Sequence, residues 1–507
     1  MKRIQLITII LTVMLPLAVQ AQLTVTGQLR TRTEFRNGTG TLRLKEAKPA
    51  FFTSQRSRIS LQHQWNQVTF RTTVQDVRVW GQDASTISST DGNRLMVHEA
   101  WAEIVLANKK DSAIARSFAD YFSVKIGRQE LLYDDSRLLG NLDWLQQARR
   151  HDAVIFRLLQ KGWQLDLGAA FNQHTAAFGY NGTQYMPANV PSQVRNSQGH
   201  LVPTPAGMIP VINSNGNSAP SGTLALSGPV GTNGLNQHYK AMQFLYVAKT
   251  LGKARTSLLL VSDQFAKYTF DSITSVVGSD TGYVYGRRYN QAGVHARFTG
   301  GILSAIPLDA DNQWTLTAGA WYQWGKDKEG LELSAWTGTL ALAYTQNKLS
   351  CTAGYDYVSG NDAFTTSTVN HRFDPLYGTP HKCWGYMDYF YAGTGSPAGG
   401  LSNPYIRLRY NGAGKRFTTG LDYHYFALAN HQRNKAGNAV RKYLGSEIDW
   451  VSTYELNKIT TLELGLAFLA ASESMYYAKN MEPGSARRTA QWAYLQVNIK
   501  PVFAGKQ

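Results

Sequence analysis

Stretches of about ten residues in which apolar and polar side chains alternate recur from one end of the chain to the other. This repeat restricts the fold more than any other feature. In 23–36, Leu23, Val25, Gly27, Leu29 and Phe35 share one face, and Thr24, Thr26, Gln28, Arg30, Arg32 and Glu34 the other. In 52–65, Ile59, Leu61 and Trp65 oppose Arg56, Arg58, Ser60, Gln62 and Gln64. Near the far end, Leu462, Leu464, Leu466, Phe468 and Ala470 alternate with Thr461, Glu463 and Gly465. A strand with one greasy and one polar face fits an antiparallel sandwich or a membrane barrel. Past residue 22 no apolar run reaches the roughly eighteen residues of a spanning helix, so membrane entry requires a closed β-barrel.

The connections separate these two architectures. About eighteen alternating segments can be counted, each near the nine to eleven residues of a tilted membrane strand. Examples are 254–266, 283–298 and the last, 489–500. Short turns, such as Asn66-Gln67, Gln160-Lys161-Gly162 and Gln346-Asn347-Lys348, lie between longer connections at 37–51, 81–94, 129–148, 359–402, 428–441 and 471–488. The longest, 173–237, is rich in Asn, Gly, Ser and Pro. A soluble sandwich has no reason to gather its long loops at one end, whereas outer-membrane barrels pair short periplasmic turns with long external loops. Ala493, Leu495, Val497, Ile499, Pro501 and Phe503 share one parity, giving a closing strand that ends on an aromatic. The expected fold is all-β: a transmembrane antiparallel up-and-down barrel of about eighteen strands, both termini in the periplasm. A phase slip at Gln75-Asp76-Val77 suggests a bulge.

Composition agrees. Only 17% of the 507 residues are charged, 12% are aromatic, and 45 are glycine. The N-terminal stretch has Lys2 and Arg3, an apolar run, and Val19-Gln20-Ala21 before Gln22, which reads as a signal peptide over 1–21 with the barrel over 22–507. Its removal takes the formal charge from +17 to +15. Export makes nucleic acid a poor partner for that excess, and outer-membrane lipid and anionic solutes better ones. Two cysteines, Cys351 and Cys383, exclude a disulfide scaffold; they either form one bridge or remain two thiols.

Eighteen strands enclose a lumen wide enough for water, so inward side chains matter most. Inward parity selects Arg30, Arg32, Arg56, Arg58, Arg71, Arg407 and Arg409, with Arg78, Arg128 and Arg137 near the same path. Arginine stays charged and grips carboxylates or phosphates with two prongs. Glu34, Glu99, Glu103, Asp356, Asp422, Glu447 and Asp449 occur on the same faces, as structural partners of the arginines.

The run Lys125-Ile126-Gly127-Arg128-Gln129-Glu130-Leu131, followed by Tyr133-Asp134-Asp135-Ser136-Arg137-Leu138-Leu139-Gly140 and Asp143-Trp144, resembles the signature of the alginate export porin family. Gly354-Tyr355-Asp356-Tyr357, Ser359-Gly360-Asn361-Asp362 and Phe373-Asp374-Pro375-Leu376-Tyr377-Gly378 with His381 match in order and rough spacing. The resemblance implies an eighteen-stranded barrel passing an anionic polysaccharide through an arginine-rich constriction balanced by acids. By motif it adds Arg128, Glu130 and Arg137 to the substrate path.

Catalytic and metal motifs are weak. Gly412-Ala413-Gly414-Lys415 lacks most of a phosphate loop, His98-Glu99 lacks a second histidine, and no cofactor or metal is implied. The expected function is a non-enzymatic, anion-selective porin for an acidic oligo- or polysaccharide, alginate-like, working in export or uptake with a possible periplasmic partner. The alternatives are a hydrolase at the barrel rim, seeded by Asp422 with His424 or by Asp134-Asp135, and an adhesion module acting through the 173–237 loop.

Overall fold

The computed structural model describes residues 22–82, 95–172, 190–226, 239–311, 313–391, 397–412, 414 and 416–505. The signal-peptide reading of 1–21, and parts 173–189 and 227–237 of the longest loop, lie outside them. Eighteen antiparallel strands form the wall. The first nine are β1 (Gln22–Asn37), β2 (Ala50–Trp65), β3 (Val68–Val79), β4 (Met96–Asn108), β5 (Tyr121–Gln129), β6 (His151–Gln160), β7 (Trp163–Phe171), β8 (Ala241–Leu251) and β9 (Ala254–Val277). They continue as β10 (Asp280–Pro307), β11 (Trp314–Lys326), β12 (Glu332–Gln346), β13 (Leu349–Val358), β14 (Leu401–Asn411), β15 (Phe417–Ala427), β16 (Tyr443–Asn457), β17 (Thr460–Ala471) and β18 (Thr489–Ile499). Each pairs with its sequence neighbour, and β1 closes the barrel on β18 from Leu29↔Ile499 to Asn37↔Gln491.

Closure satisfies every edge, which lipid requires because no water is there to pair with a free N–H or C=O. The alternation sorts the faces as the sequence implies. On β17, Leu464, Leu466 and Phe468 point outward, while Ala467 and Leu469 are buried inside. Short turns use the chemistry of tight hairpins: Lys161 and Gly162 both have positive φ (48° and 77°), as a type I′ turn demands. Beyond β18, residues Val502–Ala504 add to the start of β1, and Phe503 lies against Gly27, where a Cβ would come within 2.8 Å of its ring.

Three features differ from expectation. First, β9 runs 24 residues, well past 254–266, and β10 runs 28, past 283–298 at both ends; the two stay paired from Tyr268↔Tyr289 to Val277↔Asp280, and β10 pairs with β11 out to Pro307↔Thr315. The register shifts between Ala266 and Tyr268, so the alternation counted over 254–266 changes phase there while the ladder continues. Second, the described part of the longest loop is ordered: strand Met208–Ile212 adds to β10, and Val194, Val202, Met208 and Val284 form a small core. Third, no bulge interrupts the β2–β3 ladder at Gln75-Asp76-Val77; the irregularity is on the other side of β3, between Thr73 and Val74 in its pairing with β4.

The lumen is not open water. Residues 130–150, 359–391 and 397–400 fold inward, and the first two segments join through Gly140 N–H to Tyr377 O (3.0 Å) and Tyr377 N–H to Leu138 O (2.9 Å). Their Tyr133, Leu139, Tyr377, Trp384, Tyr389 and Phe390 form a buried core with inward wall residues such as Phe244 and Leu401. An eighteen-stranded wall is too wide for its own side chains to fill, and these two loops supply the missing volume. Among the described residues, no helix is long and apolar enough to cross a membrane.

Candidate functional site

The β1–β2 register places Arg30 directly opposite Arg56, and Gln28 opposite Arg58. Like charges facing across a ladder are destabilising unless something offsets them. The inward loop does so with Asp143, whose carboxylate lies 2.8 Å from Arg56 Nη1, 3.3 Å from Arg30 Nη1 and 3.6 Å from Arg58 Nη1. Arg30 also donates to the main-chain carbonyls of Asp143 (2.8 Å) and Leu145 (3.1 Å), and to Gln146 Oε1 (2.9 Å). Arg32 donates to Glu34 (2.9 Å) and to Trp144 O (2.8 Å), with its guanidinium 3.8 Å over the Trp144 ring. Burial alone would raise the Asp143 carboxyl, but Arg56, Arg30 and Arg58 outweigh it and hold the group below its usual range.

Arg30, Arg32 and Arg56 are thereby only 5%, 2% and 1% exposed. They brace the plug rather than line open water. Glu130 sits at the edge of this cradle; it and Arg58 both reach His98 Nε2, at 2.8 and 3.1 Å, and Asn141 donates to its other oxygen at 2.7 Å. Arg137 is buried too, joined to Asp356 on β13 at 3.1 Å and to Asp135 at 3.2 Å, with Trp321 and Trp384 on its flanks.

Arg71, Arg407 and Arg409 keep partial access to the lumen, at 33%, 23% and 37% exposure. Arg71 pairs with Glu99 at 3.1 Å, and Arg407 and Arg409 share Asp422 on β15. Two candidates face the other way. The unbroken β2–β3 ladder puts Val77 opposite inward Arg56, so Arg78 points outward, where it grips Asp76 at 2.7 and 2.8 Å. Arg128 shares parity with lipid-facing Ile126 and pairs across β6 with Asp152 at 2.8 and 2.9 Å. A motif match carries no information about which face a residue occupies; ladder parity does.

Sequence reasoning named Asp143 and Trp144 only as part of a motif and missed that they meet the arginines. It also missed Arg297 on β10, buried against Asp263 at 2.5 Å and Asp374 at 2.7 Å, with Tyr377 donating to Asp263 at 2.6 Å. Asp263 and Arg297 sit opposite each other in register, a signal that inward parity could have supplied. Asp422 is held by Arg407 and Arg409, while His424 beyond it bonds Asn403 instead (3.1 Å). Cys351 faces outward on β13 and Cys383 is buried in the plug, so both are free thiols on opposite sides of the wall.

The sequence model of the alginate export family matches residues 21–171. No curated protein sequence matches the chain. Solved structures that resemble it include a BenF-like porin from Pseudomonas fluorescens Pf-5, at TM-score 0.54 and 12% identity, covering 96% of this chain and 99% of that one. OccK3 (OpdO) from Pseudomonas aeruginosa matches at 0.53 and 10% identity, over 95% and 96% of the two chains. OccAB4 from Acinetobacter baumannii matches at 0.52 and 10% identity, over 96% and 99%. The N-terminal part of this barrel thus carries the sequence pattern of the alginate export family, and the chain as a whole has the fold of the outer-membrane porins.

Proposed function

We propose that the protein is an anion-preferring channel of the bacterial outer membrane, with its termini and short turns in the periplasm, and that it passes an acidic oligo- or polysaccharide of the alginate kind. The observation that carries this reading is the charge where β1 and β2 meet the plug. Arg30, Arg32, Arg36, Arg56 and Arg58 face three carboxylates, those of Glu34, Asp143 and Glu130. The surplus sits between low-dielectric walls that focus its field on the passage. Partly exposed Arg71, Arg407 and Arg409 continue the positive path toward the short turns, where a passing carboxylate can replace Glu99 or Asp422 as partner. The alginate export match over 21–171 supports a polysaccharide cargo. No arrangement of the described residues favours the hydrolase alternative.

Reversal potentials in a salt gradient across a planar bilayer test the proposal. Anions should carry most of the current, and Arg56→Ala with Arg58→Ala should reduce that preference. Cation preference, or selectivity unmoved by the double variant, overturns it.

A further inference from the structure

A stack of planar groups runs from β1 through the plug to a cavity against β14–β16. Arg32 lies over the Trp144 ring at 3.8 Å, His381 stacks on Trp144 at 4.2 Å and 6°, and Tyr386 stacks on His381 at 4.9 Å and 19°. His381 is fixed by donating to Asp388 at 2.7 Å, and Tyr386 by its main-chain N–H to Asp449 at 3.2 Å. The last ring, Tyr386, is partly exposed. It borders a cavity of about 280 Å³ shared with Arg409, Asp422, Asn411, Thr418 and Thr453, between the plug and the short-turn end of β14–β16.

The polar side of this cavity is built with care for one guanidinium. Arg409 lies across β15 to hold Asp422 with both nitrogens. Gly420 is opposite it in register, and a Cβ there would fall 2.8 Å from Arg409 Nη1. The missing side chain leaves the room that the guanidinium occupies against the wall. Neither Asn411 nor Thr418 has a side-chain hydrogen bond among the described residues.

We propose that this cavity is a binding subsite for one pyranose ring of an acidic saccharide. Tyr386 stacks on the C–H face of the sugar, Arg409 meets the ring carboxylate, and Asp422, Asn411 and Thr418 receive or donate to its hydroxyls. Three features single out this class. An inorganic anion makes no use of the aromatic floor that Tyr386 provides. A purely apolar solute leaves the Asn411 amide and the Thr418 hydroxyl without partners and makes no use of Arg409. The volume is at the lower edge of the roughly 300–1,000 Å³ typical of drug-sized ligand sites, which suits a single ring rather than an oligomer. The proposal rests on the channel reading above and specifies the ring chemistry that reading leaves open.

Current block in planar bilayers tests it, with the full-length protein and probes added from the short-turn side: trimannuronate, neutral maltotriose, and citrate as an anion without a ring. Trimannuronate should block the wild-type channel longest. Tyr386→Leu should shorten its residence time roughly three- to tenfold, the worth of one aromatic contact, and leave citrate block unchanged. Thr418→Trp, which fills the cavity from the wall, should have the same effect and guards against a fold defect in the loop variant. Wild-type block by trimannuronate that neither variant alters overturns the subsite while the channel reading stands. Longer block by maltotriose than by trimannuronate overturns the role given to Arg409. A wild-type channel that prefers cations and is not blocked by either anion overturns both readings.

Discussion

Replacing Asp143 with alanine removes the one carboxylate that three wall arginines share. Arg56 and Arg30 are nearly fully buried, whereas the Asp143 side chain is 45% exposed. Breaking a fully buried pair costs about 3–5 kcal/mol, and an exposed pair is worth at most about 1 kcal/mol. With the carboxylate half in water, the intermediate figure of about 2 kcal/mol applies. Arg30 and Arg56 also keep their bonds to Leu145 O, Gln146 and Gln28, which limits the loss. About 2 kcal/mol is roughly a thirtyfold shift in the ratio of docked to undocked plug. Single-channel recordings should therefore show frequent excursions to a larger conductance, together with stronger anion preference because a negative charge has left the constriction. Asp143→Asn, which keeps the shape, should show an intermediate frequency.

The same link predicts an acid effect. The folded-state carboxyl of Asp143 titrates below its unfolded value, so its stabilisation is present above about pH 4 and is lost as pH falls through the lower folded value. Wild-type excursions should grow in that window and those of Asp143→Ala should not. An alanine variant with wild-type conductance, noise and selectivity would refute the claim that these arginines hold the plug.

Three further outcomes follow from the geometry. Arg137→Met strands the buried Asp356 and should cost about 3–5 kcal/mol, lowering the temperature at which the folded band is lost on cold SDS gels; Arg137→Met with Asp356→Leu should recover most of it. Arg128→Ala removes an outward, half-exposed pair with Asp152 and should change stability by less than about 1 kcal/mol and ion selectivity not at all, as a reversal potential would show. Lys479 packs on the rings of Tyr389 and Phe390 and donates to Tyr389 O, and burial pushes its ammonium down to about 7. The unfolded chain then binds more protons between about pH 7 and 10, so packing of residues 471–488 should tighten as pH rises through that range. Protease protection of this segment should rise accordingly, and lose its pH dependence in Lys479→Met.

Legibility in the sequence followed the range of the physics. Alternation on β17, the Lys161-Gly162 turn and the greasy parity of 493–503 are local, because lipid on one side imposes a period of two on each strand separately. Strand number and the inward direction of Arg30, Arg32, Arg56 and Arg58 follow from that period, and closure from the alternation of short and long connections beside it. It failed where a register shift interrupts the alternation, as on β9 beyond Ala266. It failed too where a motif stood in for parity, as at Arg128, and where a bulge expected at Gln75-Asp76-Val77 blurred the parity, as at Arg78.

By itself, then, the sequence determined a barrel and a ring of inward arginines. Only the tertiary structure decided what those arginines do. Asp143 is 113 residues from Arg30 in the chain and 87 from Arg56, and it reaches both because the loop after β5 folds into a lumen too wide to fill itself. Strand patterning is written residue by residue into the alternation. The meeting of two inward loops, Leu138–Gly140 against Tyr377, depends on the shape of the space the closed wall encloses, and no single segment carries that information.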